Sequence, residues 1–169
     1  MIQRIKHFIE RHIVGEEPNY NERRNSLSRF VQAQERDYKT ALAEIRNGRK
    51  MTHWIWYIFP QIEGLGHSCY SNLYGIRDIS EAEAYLSHPL LGKRLREITG
   101  ELLKHSDLSA QEILGELDAK KVRSCMTLFD KVSPDDVFAQ VLATFYGGTR
   151  CERTLEKLNV PQAAKTPMP

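Results

Sequence analysis

From Phe30 to Leu158 the apolar residues recur at intervals of three and four, and almost nowhere in alternation. A period near 3.6 lines one face of an α-helix, whereas a half-buried strand needs period two. The chain is therefore expected to be all-α. Capping chemistry divides the pattern. Phe30, Val31, Tyr38, Ala41, Leu42 and Ile45 mark a helix from Ser28 to Arg46, capped by Ser26 or Ser28. Asn47-Gly48 supplies a left-handed stop. Ser80-Glu-Ala-Glu83 reads as a capping box, and its helix ends before Pro89. Leu91, Leu95, Ile98, Leu102 and Leu103 line the next helix. Ser109-Ala-Gln-Glu112 is a second capping box. Val122, Cys125, Met126, Phe129 and Val132 share one face between Asp118 and Lys131. Ser133-Pro-Asp-Asp136 suggests a start with Ser133 as cap and Pro134 first in the helix. Gly147-Gly148 closes that helix, and Thr149-Arg-Cys-Glu152 opens a last one. The expectation is a single compact multi-helix domain of about seven to nine helices with short connections.

Two ends stand apart. Ile2, Ile5, Phe8, Ile9 and Ile13 form an apolar stripe, giving an appended N-terminal amphipathic helix that ends at Gly15. A polar linker follows. The expected organisation is residues 1–25 for that helix and linker, 26–159 for the helical domain, and 160–169 for a proline-containing flexible tail. The N-terminal helix packs on its own domain or docks a second copy, so a homo-oligomer is one expected partnership.

Composition narrows the function. The 169 residues are 41% hydrophobic and 27% charged, enough for a real core. The longest apolar run, Trp54 to Pro60, is too short for a membrane span. A net charge of +2 with scattered arginines does not suit a nucleic-acid binder. Cys69, Cys125 and Cys151 form no CxxC pair, and the charged N-terminus makes a poor secretory signal, so a cytoplasmic location is expected.

One stretch escapes helix patterning. Met51 to Gln61 holds both tryptophans and leads into Gly64-Leu-Gly66-His-Ser68. Ile55, Ile58, Phe59 and Ile62 fit a helical face, while Trp54, Trp56 and Ile58 fit a strand. The helical context and Pro60 favour helix. Aromatic rings, the Gln61 amide and a Gly/Ser loop suit a pocket that stacks a planar group and hydrogen-bonds its edge. The plainer alternative is core filling. Lys121 and Ser124 add an anion-binding option, or simply a solvated helix face. His67 and Cys69 with His53 or His88 are zinc-ligand types at no recognised spacing, so no metal and no cofactor are expected. Cys69 paired with a histidine is a thin nucleophile motif, and Cys125 sits among core residues.

Several segments together resemble the DUF1810 (Rv1873-like) family of uncharacterised, mostly bacterial proteins. They are Arg29-Phe-Val-Gln-Ala-Gln34, Thr52-His-Trp-Ile-Trp-Tyr-Ile-Phe-Pro-Gln61, Gly64-Leu-Gly66-His-Ser68, His88-Pro-Leu-Leu-Gly-Lys-Arg-Leu95, Asp118-Ala-Lys-Lys121, Ser124-Cys-Met-Thr-Leu-Phe129 and Phe145-Tyr-Gly-Gly148. The resemblance runs from Leu27 to Leu158. It implies an all-helical fold and no assigned activity or catalytic residues.

The leading expectation is a small-molecule ligand, planar or phosphorylated, bound by His53, Trp54, Gln61, Ser68, His88, Lys121 and Ser124. Two alternatives stand beside it. One is a non-catalytic assembly module using the N-terminal helix. The other is a hydrolase with His53 or His88 as general base.

Overall fold

The structure, a computed structural model, describes residues 26–159. The expected N-terminal helix, its linker and the expected tail lie outside the described residues. Nine helices lie among those described: α1 Ser28–Arg46, α2 Ile55–Ile58, α3 Cys69–Tyr74, α4 Ile79–Ser87, α5 Leu91–Leu103, α6 Ala110–Leu114, α7 Glu116–Val132, α8 Val137–Tyr146 and α9 Glu152–Asn159. Extended pairing among them is limited to an isolated parallel bridge between Ile62 and Ile76. The all-α expectation holds. No helix among the described residues is long and apolar enough to cross a membrane.

The centre is α7. Its Ala119, Val122, Cys125, Met126, Leu128 and Phe129 are all buried, more than one stripe can account for. A helix apolar on several sides must be covered on several sides. Accordingly α7 packs against α2, α4, α6, α8 and α9. A second group forms around α5, which meets α1, α4 and α8. The approach of α4 and α5 requires Gly92, since a Cβ there would lie 2.0 Å from Leu86 O.

Helix ends follow local chemistry where one residue can do the work. At the end of α1, Gly48 takes φ +74° and donates to Ile45 O at 2.9 Å, while Arg49 N–H reaches back to Glu44 O at 3.1 Å. That is a Schellman closure. At the start of α6, the Ser109 and Glu112 side chains satisfy each other's backbone N–H groups, as expected.

Four expected caps are displaced. For α1 the residue at the cap position is Leu27, which offers no side-chain cap, and Ser26 Oγ accepts the Ser28 N–H at 3.1 Å. For α4 the cap is Asp78, accepting from Glu81 N–H at 2.9 Å, and not Ser80. The Glu81 carboxylate is taken by the Arg29 and Arg77 guanidinium groups, each at 2.7 Å. For α8 the cap is Asp136, and the Ser133 hydroxyl donates to it at 2.8 Å. Asp135 has φ +59°, so the helix cannot run through it from Pro134. For α9, Cys151 and not Thr149 immediately precedes the first helical residue.

Candidate functional site

The segment from Met51 to Ser71 divides at Pro60 into two unlike halves. In the first, α2 is a single turn whose Ile55, Tyr57 and Ile58 are buried along with Trp54 and Phe59. The favoured helix is therefore present, though short. Trp54 is 1% exposed, so its ring belongs to the core and offers no stacking face. Its indole N–H donates to the Glu44 carboxylate. The other Glu44 oxygen accepts from the Thr52 hydroxyl at 2.8 Å. Lys50 Nζ lies 4.8 Å from the centre of the Trp54 ring and 2.9 Å from Asp118 Oδ2. Asp118 Oδ1 in turn lies 3.4 Å from Lys121 Nζ. Trp54 and Lys121 thus belong to one continuous polar chain between α1 and α7.

The second half is open. Gly64 takes φ +86°, and a Cβ built on it would stand 2.7 Å from Lys157 Nζ. Arg153 Nη1 reaches Leu65 O at 3.5 Å. A Cβ on Gly66 would lie 2.5 Å from Ser71 Oγ and 3.8 Å from Gln61 Nε2. Ser68 accepts the Ser71 N–H at 3.1 Å and donates to Ser71 Oγ at 2.9 Å. The glycines therefore let one loop gather an amide, two hydroxyls, a guanidinium and an ammonium. Every one of these groups carries hydrogen-bond donors. Neither Arg153 nor Lys157 forms an ion pair among the described residues. Close by, Tyr70 is 52% exposed and stacks on Trp56 at 4.7 Å, giving the open aromatic surface that Trp54 does not.

The remaining expected site residues are placed elsewhere. His53 is exposed, and its carbonyl accepts from the Tyr57 hydroxyl at 3.2 Å. His88 caps α5: its Nδ1 accepts from the N–H groups of Leu90 and Leu91 at 3.1 and 3.2 Å. That ring lone pair is used in folding, and neither imidazole is hydrogen-bonded to a carboxylate or hydroxyl among the described residues. Ser124 is buried between Lys120 O at 3.1 Å and Cys151 Sγ at 3.3 Å. The seven expected residues thus separate. Gln61 and Ser68 share the open loop, Trp54 and Lys121 share the polar chain between α1 and α7, and Ser124 lies beneath the start of α9. His53 and His88 join neither cluster. Arg153 and Lys157 were not anticipated. Their only sequence signal is a basic pair at i and i+4, a spacing that shares one helix face. No group of three His, Cys, Asp or Glu side chains among the described residues could hold a metal ion.

A family model described as a protein of unknown function, DUF1810, matches residues 24–158. The chain belongs to the DUF1810 family. Among solved structures, the DUF1810 chain is similar to the conserved hypothetical protein Rv1873 from Mycobacterium tuberculosis, known from a crystal structure. The two are 44% identical, with a TM-score of 0.78 over 80% of this chain and 97% of that one. No match is found among curated proteins. Both halves of the Met51–Ser71 segment, and both Arg153 and Lys157, fall inside the DUF1810 match.

Proposed function

We propose that this DUF1810 chain binds a small phosphorylated metabolite on the open loop, with its anionic group between Gln61, Ser68, Ser71, Arg153 and Lys157. The observation that carries this reading is the apposition of two cations, without an ion-pair partner among the described residues, to a glycine loop already lined with hydroxyl and amide donors. Charge-assisted hydrogen bonds to phosphate are the strongest such a donor set can make. Tyr70, stacked on Trp56, adds a face for a planar portion such as a nucleobase. Lys121 and Ser124 are not needed for this arrangement, since each already has a partner within the protein.

The test is thermal unfolding with inorganic phosphate, ribose 5-phosphate, ADP and ATP at matched ionic strength. A ligand at a hundredfold excess over its Kd adds ~2.7 kcal/mol to folding stability. The expected result is a raised Tm with at least one phosphorylated compound, abolished in the Arg153→Ala, Lys157→Ala double variant. No shift with any of the four, or an equal shift in the double variant, ends this reading.

A further inference from the structure

In the sequence Cys151 is only one of three cysteines that form no CxxC pair, yet its surroundings differ from those of the other two. Cys125 is completely buried in the core, and burial alone pushes its thiol far up. Cys69 lies exposed on the surface. Cys151 stands immediately before α9 against the side of α7. Its backbone is pinned there, because its N–H donates to Thr127 Oγ1 at 3.0 Å and Thr127 donates to Arg123 O at 2.7 Å.

Around the sulfur the polar groups are chiefly donors. Ser124 Oγ is 3.3 Å away. Facing a thiol, this hydroxyl can bond to Lys120 O, 3.1 Å away; facing a thiolate, it can turn to the sulfur. The Thr154 N–H and hydroxyl also bear on the sulfur, and the Arg123 charge lies within reach. Burial works against the thiolate, but these four groups outweigh it and hold the thiol below its ordinary value. Two donors of these residues have no hydrogen-bond partner among the described residues. Thr154 is fully buried and its Oγ1 makes no aligned hydrogen bond; Arg123 Nε is likewise buried without a partner. Buried donors without acceptors are costly, and an anion at the sulfur position would use them.

We infer that Cys151 is a peroxide-reactive thiol, a modification site whose sulfenate oxygen is received by Thr154, Ser124 and Arg123. The thiolate sulfur attacks one peroxide oxygen. The S–O bond forms as the O–O bond breaks, the sulfur is oxidised, and the departing hydroxide takes a proton to leave as water. The balance is thiol plus hydrogen peroxide giving sulfenic acid plus water. This site is separate from the metabolite loop and stands or falls independently of it.

Cys69 and Cys125 serve as internal references. The full chain is treated briefly with hydrogen peroxide in the presence of dimedone, and each cysteine peptide is quantified by mass spectrometry. Cys151 is expected to be trapped several-fold faster than Cys69, although Cys69 is the more exposed. Ser124→Ala and Arg123→Met are each expected to slow Cys151 several-fold and leave Cys69 unchanged. Faster trapping at Cys69 in the unaltered chain overturns the inference. So does a Cys151 that labels only after unfolding, or one whose rate is the same in both variants.

Discussion

Trp54 and Gly64 belong to one aromatic, glycine-containing segment, and their surroundings differ in kind. Around Trp54 the polar groups answer one another: the indole N–H and Thr52 hydroxyl take the two Glu44 oxygens, and Lys50 takes Asp118. Around Gly64 the hydroxyls bond each other and Arg153 reaches only a backbone carbonyl, and the two cations find no carboxylate among the described residues. An internally compensated cluster spends its interactions on holding the chain together. An uncompensated one keeps them available for something that arrives from outside. The proposed function thus assigns folding to the first half of this segment and recognition to its second.

The sharpest way to break this contrast is at Trp54. Its side chain is enclosed by core, so Trp54→Ala removes a large buried surface and leaves a cavity. The expected loss is ~3–5 kcal/mol by denaturant unfolding. A loss of a few tenths would mean that the ring is not the structural hub described. Next in size is Glu44→Ala, which leaves the Trp54 N–H and the Thr52 hydroxyl without their acceptor. Thr52 is exposed, but the buried Trp54 donor stranded in this way costs about 1–3 kcal/mol. Chemical denaturation of Glu44→Ala should show that loss without a change in m value, and an unaltered midpoint would remove Glu44 from the account.

The same contrast explains what could be read without coordinates. The Ser28–Arg46 helix and its Gly48 stop were legible because the signals are local: an apolar stripe, then a residue free to take positive φ. The central position of α7 was less legible: its apolar residues read as a single face, whereas Ala119 and Leu128 are buried as well. Caps were less legible wherever two candidates lay within two residues. Asp78 and Ser80 compete on equal terms in sequence, and the position of Glu81 beside Arg29, from a distant helix, accompanies the choice of Asp78. His88 was overrated because a histidine before a helix looks the same whether it caps or catalyses. Arg153 and Lys157 carry no sign of the proposed site in the sequence, because what suggests it is their apposition to Leu65 and Gly64, far away along the chain.

Gly64 itself carries the next expected effect. Gly64→Ala places a Cβ at φ +86° and against Lys157 Nζ, though the flexible lysine can move aside. The backbone cost remains, at roughly 1–2 kcal/mol. Displacing the lysine should also weaken any phosphate-dependent rise in Tm. A Gly64→Ala protein as stable as the parent would show that the loop is free to relax, contrary to its described geometry.

The smallest effect on stability is the most informative about function. Arg153 and Lys157 are exposed, and neither makes an ion pair among the described residues. Exposed substitutions away from caps and core usually fall within about 0.5 kcal/mol. The Arg153→Ala, Lys157→Ala double variant should therefore unfold at nearly the parent midpoint. In the presence of the phosphorylated compound that stabilises the parent, the two should separate, because only the parent retains the cations. If the double variant instead loses as much as Glu44→Ala without ligand, the basic pair is a structural clamp on the glycine loop. The two halves of the segment would then be alike in kind, and the division at Pro60 would mark only a change in exposure.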